Sequence, residues 1–356
     1  MNDLANPPRP RAPAMRVADH LPAGGEDPAL ASVSYGRGAP GAPAGGAALL
    51  ARGAFGPVPL EVLAGPALLH AIWSAHGPVH TTRSGRMAMR HDHDLIFGYL
   101  EVQEEGPGSL REASREAYCE VFDALEVSGH AHLVRCWNYV PRINAAEEGL
   151  ERYRQFNIGR QDAFLRHDRA PGAGAPAACA LGSPDGPLIV FFIASRTAPR
   201  SIENPRQVSA YHYPAQYGPR SPTFSRAALL PLDGADALFI SGTASIVGHE
   251  SLHLGDVAGQ AREALRNVDA VLEEAARQAR HGRFTPRELC WKAYLRNPGD
   301  LAVVQQAFAE FHGDSIDIAW LRADVCRSEL LVEFEAMGVR ANPAGTAGFD
   351  PVGPAA

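Results

Sequence analysis

The sequence predicts an α+β fold made of two related lobes. Three observations carry this: a strand, helix, strand pattern occurs twice, the apolar residues of each helix share one face, and 356 residues exceed a typical single domain. The repeat shows in pattern rather than in residue identity.

The first copy starts with a strand over Leu95 to Val102. A helix over Leu110 to Val127 follows, with Ala113, Ala117, Val121 and Leu125 on one face, then a strand over His132 to Val140. The second copy opens with a strand over Ala237 to Val247. Asp256 is placed to cap a helix running to about Arg280, whose buried stripe is Ala261, Leu265, Val268 and Leu272. A helix after Asp300 carries Val304, Phe308 and Phe311, and strands over Ile316 to Val325 and Leu330 to Ala336 end the pattern. Three stretches are rich in Pro, Gly and Ala. They predict a disordered leader over residues 1–46, a linker over Ala170 to Gly186 and a flexible tail over 341–356. The lobes are then expected at 47–185 and 186–340.

With 46% hydrophobic and 21% charged residues, the chain has the composition of a folded globular protein. A formal net charge of -7 argues against non-specific attraction to nucleic acid or an anionic membrane. An anionic ligand would need arginines gathered locally to override that field. Cys119, Cys136, Cys179, Cys290 and Cys326 are widely spaced, odd in number and without a CxxC pair, which reads as reduced thiols in the cytoplasm. No apolar run suggests secretion or a membrane span.

His249-Glu250-Ser251-Leu252-His253 matches HExxH, the zinc motif that works from a helix. Here a Gly- and Thr-rich strand precedes it and Gly255-Asp256, a helix start, follows it, so a loop is predicted and no metal. His91-Asp92-His93-Asp94 reads as a solvated strand entry, because neighbouring strand residues point to opposite faces. There is no GxGxxG after a strand, no GxxxxGK[ST] and no GxSxG elbow, and no cofactor is expected.

The last strand places Glu333 and Glu335 on one face, with Val332 and Phe334 on the other. Two glutamates there either face solvent or include a working acid, which a dry pocket would keep protonated near neutral pH. Arg322, Cys326 and Arg327 stand nearby. Two further runs are dense in arginine and aromatics: Arg135 to Arg142, continuing to Tyr153, Phe156, Asn157 and Arg160, and Tyr211 to Pro222, continuing to Phe224 and Arg226. Arginine forks and tyrosines of this kind suit a small cyclic dianion.

Phe239-Ile240-Ser241-Gly242-Thr243-Ala244, the helix Gln260 to Val268 and Val332 to Ala336 resemble the YjgF-like superfamily. Cys136-Trp137-Asn138-Tyr139 with Arg142-Ile143-Asn144, Tyr211 to Pro222 and Ser241 to Ser251 resemble the chorismatases over roughly residues 90 to 336. That resemblance implies two YjgF-like lobes in one chain around a pseudo-trimeric, barrel-like core, a monomer, and cleavage of chorismate to pyruvate without metal or cofactor. It makes Glu333 the catalytic acid, with Tyr153, Arg160, Tyr217, Arg226 and Arg142 holding the ring and carboxylates. Cys326 points to an aromatising branch with 3-hydroxybenzoate as product, some members adding 4-hydroxybenzoate, and Ala244 points to a hydrolytic branch yielding a dihydroxycyclohexadiene carboxylate. The rival readings are a YjgF-like imine or enamine deaminase and a non-catalytic aromatic-acid binder.

Overall fold

The computed structural model describes residues 15–18, 29–36 and 54–342, apart from 76, 107, 170, 171, 173 and 317. Two six-stranded sheets share one connectivity. In the first, His80–Ser84, Met87–His91 and Leu95–Val102 form an antiparallel meander. Helix α1 (Leu110–Ser128), strand His132–Pro141, helix α2 (Arg152–Arg166) and strand Ala177–Ser183 follow, the last pairing parallel to His132–Pro141. Strand Leu188–Ser195 then inserts between Leu95–Val102 and His132–Pro141.

The second sheet repeats this order. Its meander is Arg200–Ile202, Ala227–Leu232 and Ala235–Ala244. Helix α3 (Val257–Ala276), strand Leu289–Leu295, helix α4 (Leu301–His312) and the parallel strand Ile318–Arg322 come next, and Val332–Ala341 inserts as the final central strand. The predicted repeat is therefore present as topology.

The apolar stripes bury as expected. Ala113, Ala117, Val121 and Leu125 of α1 pack under the first sheet, while Ala261, Leu265, Val268 and Leu272 of α3 pack under the second. Fully burying one such Leu or Val contributes about 1.5–3 kcal/mol. Asp256 caps α3 by accepting from the Gly259 amide at 3.0 Å, and Gly129 ends α1 in the left-handed conformation.

Four further strands, Met15–Ala18, Ala29–Tyr35, Ala54–Val58 and Leu69–Ser74, make a third sheet. Tyr35 and Trp73 from it, Trp137 and Phe191 from the first sheet, and Phe239 and Met337 from the second share one buried core. The three ladders stay separate, and isolated bridges such as Ala177 with Ser225 and Gly182 with Asp324 join sheet edges. The common core is thus enclosed by three sheets without one continuous hydrogen-bonded barrel among the described residues.

Three boundaries are corrected. Residues 15–18 and 29–35 of the expected leader are strands, the second of them largely buried; apart from Gly36, the rest of it, and the tail from 343, lie outside the described residues. The expected linker contains Ala177–Ser183, whose small residues serve the seam between sheets. A Cβ on Gly182 would fall 2.6 Å from Asp324 Cβ and 2.7 Å from Ile143 Cγ2. The expected break between 185 and 186 also fails, because Leu188–Ser195 completes the first sheet.

No helix among the described residues is long and apolar enough to cross a membrane.

Candidate active site

Strand Val332–Ala341 sends Val332 and Phe334 into the core under α3 and α4, and turns Glu333 and Glu335 between the sheets. Both glutamates are buried, so neither lies on a solvent-facing surface. Their environments differ.

Glu335 is enclosed by donors. Arg135 Nη2 donates at 2.5 Å, Lys292 Nζ at 2.9 Å, and Trp137 Nε1 and the Tyr294 hydroxyl at 3.0 Å each. Burial would raise its pKa, but the charges of Lys292 and Arg135 outweigh that and hold it down at about 2. Glu335 is an anion at neutral pH.

Glu333 Oε1 is buried and has no hydrogen-bond partner among the described residues. Burial pushes its pKa up to about 8, the charge of Glu335 adds to the rise, and Arg135 opposes it. Near neutral pH it carries a proton.

Glu333 borders a cavity of about 370 Å³ where the two sheets meet. Tyr153 from α2, Tyr213, Tyr217 and Arg226 from the Tyr211 to Arg226 segment, and Cys326 with Arg327 from the loop before the last strand supply its walls. Ala244, the cross-strand partner of Glu333, lines it too. A smaller space of about 40 Å³ adjoins, shared by Glu333, Tyr153 and Cys326 and reaching Asn157 and Arg160. Burial, reinforced by the neighbouring Glu333, pushes the Cys326 thiol up to about 12, so it is a neutral wall.

Three arginines hold unspent donors around this space. Arg226 Nη2 donates to Val208 O at 2.9 Å and the Tyr213 hydroxyl at 2.8 Å, while its Nε is buried without a partner. Arg327 lies over the Tyr217 ring at 3.9 Å and donates through Nη1 to His249 O and Ser251 Oγ, leaving Nη2 unused. Arg160 stacks on Tyr118 at 4.7 Å, donates through Nη1 to Thr223 O, and leaves Nε and Nη2 unpaired. Buried N–H groups without acceptors are costly, and several of them around one cavity suit a ligand with carboxylates.

Arg142 is the exception among the expected site residues. The chain turns out of strand His132–Pro141 there with φ 50°, and its largely exposed side chain pairs with Glu147 at 2.8 Å. It lines a separate depression with Glu104 and Asp185. The HExxH segment runs through a short hairpin, and its histidines diverge: His249 meets the Tyr217 hydroxyl at 3.2 Å and His253 faces Glu263 at 3.6 Å. Asp92 is buried and accepts from the amides of Asp94 and Leu95, which shapes the turn into the strand.

Tyr213 and Gly242 join the site although neither is an expected site residue. Both lie within the segments that carry the family resemblance, Tyr213 in Tyr211 to Pro222 and Gly242 in Ser241 to Ser251, but only the fold shows that they meet Glu333 and its cavity.

The family model for the N-terminal domain of FkbO/Hyg5-like chorismatases matches residues 71–194. A 3-hydroxybenzoate synthase of Streptomyces hygroscopicus is 39% identical over 72% of this chain and 77% of its own length. A chorismatase of Streptomyces rapamycinicus is 38% identical over 74% of this chain and 80% of its own. The crystal structure of a chorismatase superposes with a TM-score of 0.80 at 31% identity, covering 92% of this chain and 98% of the other. With that identity over that length, on the same fold, the chain belongs to the chorismatase family.

Proposed function

We propose that this chain cleaves chorismate to pyruvate and 3-hydroxybenzoate, with Glu333 as the general acid. The observation that carries the reading is the buried, protonated Glu333, its Oε1 unpartnered, at a cavity whose arginines keep unused N–H groups. Chorismate brings a cyclohexadiene ring and two carboxylates, which match the tyrosine walls and the spare donors of Arg226, Arg327 and Arg160.

Glu333 gives its proton to the terminal methylene of the enolpyruvyl ether. The ether carbon becomes an oxocarbenium centre, which makes pyruvate a leaving group. The neighbouring ring hydroxyl attacks the ring carbon that bears the ether, that ring C–O bond breaks and frees pyruvate, and the hydroxyl proton returns to the glutamate. Opening of the resulting epoxide with loss of a ring proton gives the phenol. Formation of 3-hydroxybenzoate balances without net water, whereas the dihydrodiol consumes one water. Cys326 supports the first outcome, because a neutral thiol lining the cavity with the acid offers no base to activate an attacking water. The two lobes within one chain support a reading as a monomer, and five cysteines that are all free thiols support a cytoplasmic enzyme.

Incubating EDTA-treated protein with chorismate tests this, with pyruvate followed by a coupled assay and the ring product by chromatography and mass. Pyruvate with 3-hydroxybenzoate is expected. General acids contribute about 10²–10⁴-fold, so Glu333→Gln should lower the rate by at least about 100-fold. Folded protein that releases no pyruvate, or a Glu333→Gln variant at full rate, overturns the reading.

A further inference from the structure

The two sheets can be superposed through their strand pairing. Tyr139 pairs with Ile189 in the first, Tyr294 pairs with Glu333 in the second, and the two tyrosine hydroxyls meet at 3.3 Å across the core. In this register Ile189 corresponds to Glu333, and Phe191, paired with Trp137, corresponds to Glu335, paired with Lys292. The first lobe fills both positions with apolar side chains that pack in the shared core. The fold therefore does not require a carboxylate at the Glu335 position, and burying an ion pair there gives little net stability over a well-packed apolar residue.

What distinguishes Glu335 is its neighbour. It stands two residues from Glu333 on the same face of a rigid central strand, close enough for the two charges to interact through protein rather than water. We propose that Glu335 is a positioning residue whose fixed negative charge keeps the proton on Glu333 until substrate takes it. This rests on reading Glu333 as the acid.

Other groups face Glu333 from every side. They are Arg135 on strand His132–Pro141, Cys179 on strand Ala177–Ser183, Tyr294 across the strand pair, Tyr153 on α2, and Glu151, Arg154, Tyr213, Tyr217, Arg226, Cys326, Arg327 and Glu329 along the cavity. Of these charges, the anion that acts on Glu333 is Glu335 on its own strand, and Arg135 is the cation that opposes it. Arg135 Nη1 is buried without a partner, so once the Glu335 charge is removed that cation acts on Glu333 alone.

The test follows protonation of Glu333 with and without turnover. Without substrate, infrared difference spectra across a pH titration report the carbonyl stretch of the protonated carboxyl, assigned by its loss in Glu333→Gln. With chorismate, the alkaline limb of kcat/KM reports the same group. In Glu335→Gln both midpoints should fall by about one pH unit or more, the size expected when a close like charge is lost. Glu335→Asp, which retains the charge, should stay near the wild type. If the single Gln variant does not fold, Glu335→Gln with Lys292→Met removes one charge of each sign and carries the same expectation. A spectroscopic midpoint unmoved in the neutral variant overturns the proposal. A moved midpoint with a fully active Glu333→Gln would instead overturn the acid assignment and leave the coupling between the glutamates standing.

Discussion

Gly242 faces Glu333 so closely that a Cβ on it would lie 1.9 Å from Glu333 Oε1 and 2.9 Å from Cys179 Cβ. The pairing of strands Ala235–Ala244 and Val332–Ala341 shifts between Ile240 and Thr243, and Gly242 lies in that irregularity. The seam leaves little freedom to relax, since Ser241 Oγ donates to Ser225 O at 2.6 Å and accepts from the Ala178 amide at 2.9 Å. Gly242→Ala must therefore displace the Glu333 carboxyl. A misplaced acid costs far more in turnover than in binding, so kcat should fall by about 100-fold with KM changed little. A folded Gly242→Ala variant with wild-type kcat would show that the carboxyl has room to work elsewhere.

The arginines divide by where their spare donors lie. Arg327 and Arg226 line the large cavity, so replacing either with Gln removes charge-assisted hydrogen bonds to a bound carboxylate, worth about 1.5–3 kcal/mol each. The expected result is a KM raised by at least about tenfold. Arg142→Gln breaks only the surface contact with Glu147 and should leave kcat and KM as in the wild type. An Arg142 variant as impaired as the Arg327 variant would place the binding site elsewhere.

Much of this arrangement is legible in the sequence, for identifiable reasons. Helices α1 and α3 follow from apolar periodicity, because each buries one face against a sheet, and strand Leu95–Val102 from an almost continuous apolar run, because it is buried on both faces. The alternation in Val332 to Ala336 puts both glutamates on one face, which is how they lie. Helix α2 is hard to see because it buries Arg152, Gln155, Asn157 and Arg160, polar side chains that break the apolar stripe. Strand Ala177–Ser183 is hidden because the close approach of two sheets selects Ala and Gly, the composition of a linker. Arg142 looks like its neighbours in an arginine-rich run, and only the turn at φ 50° directs it away. The division of labour between Glu333 and Glu335 depends on Arg135 and Lys292, which are distant in sequence from the last strand.

The same proton that serves catalysis should be visible in stability. Glu333 has a folded pKa of about 8 against an ordinary value of 4.5, so between these the native state holds a proton that the unfolded chain has released. Stability contributed by the neutral buried carboxyl is complete below about pH 4.5, falls as pH rises through that window, and levels off above about 8. Glu335 acts in the opposite sense, losing its contribution only as pH falls toward 2, and it is unchanged in a Glu333 variant. Comparing wild type with Glu333→Gln therefore isolates the first group. Each tenfold difference in proton affinity between the folded and unfolded chain corresponds to about 1.4 kcal/mol, so the variant should be more stable than wild type at pH 8 by an amount on the order of a few kcal/mol, the gap closing toward pH 5. Denaturant titrations of both proteins at several pH values measure this. Parallel stability curves would mean that Glu333 has the same affinity for its proton folded and unfolded, and the acid would have to be sought among other residues of the cavity.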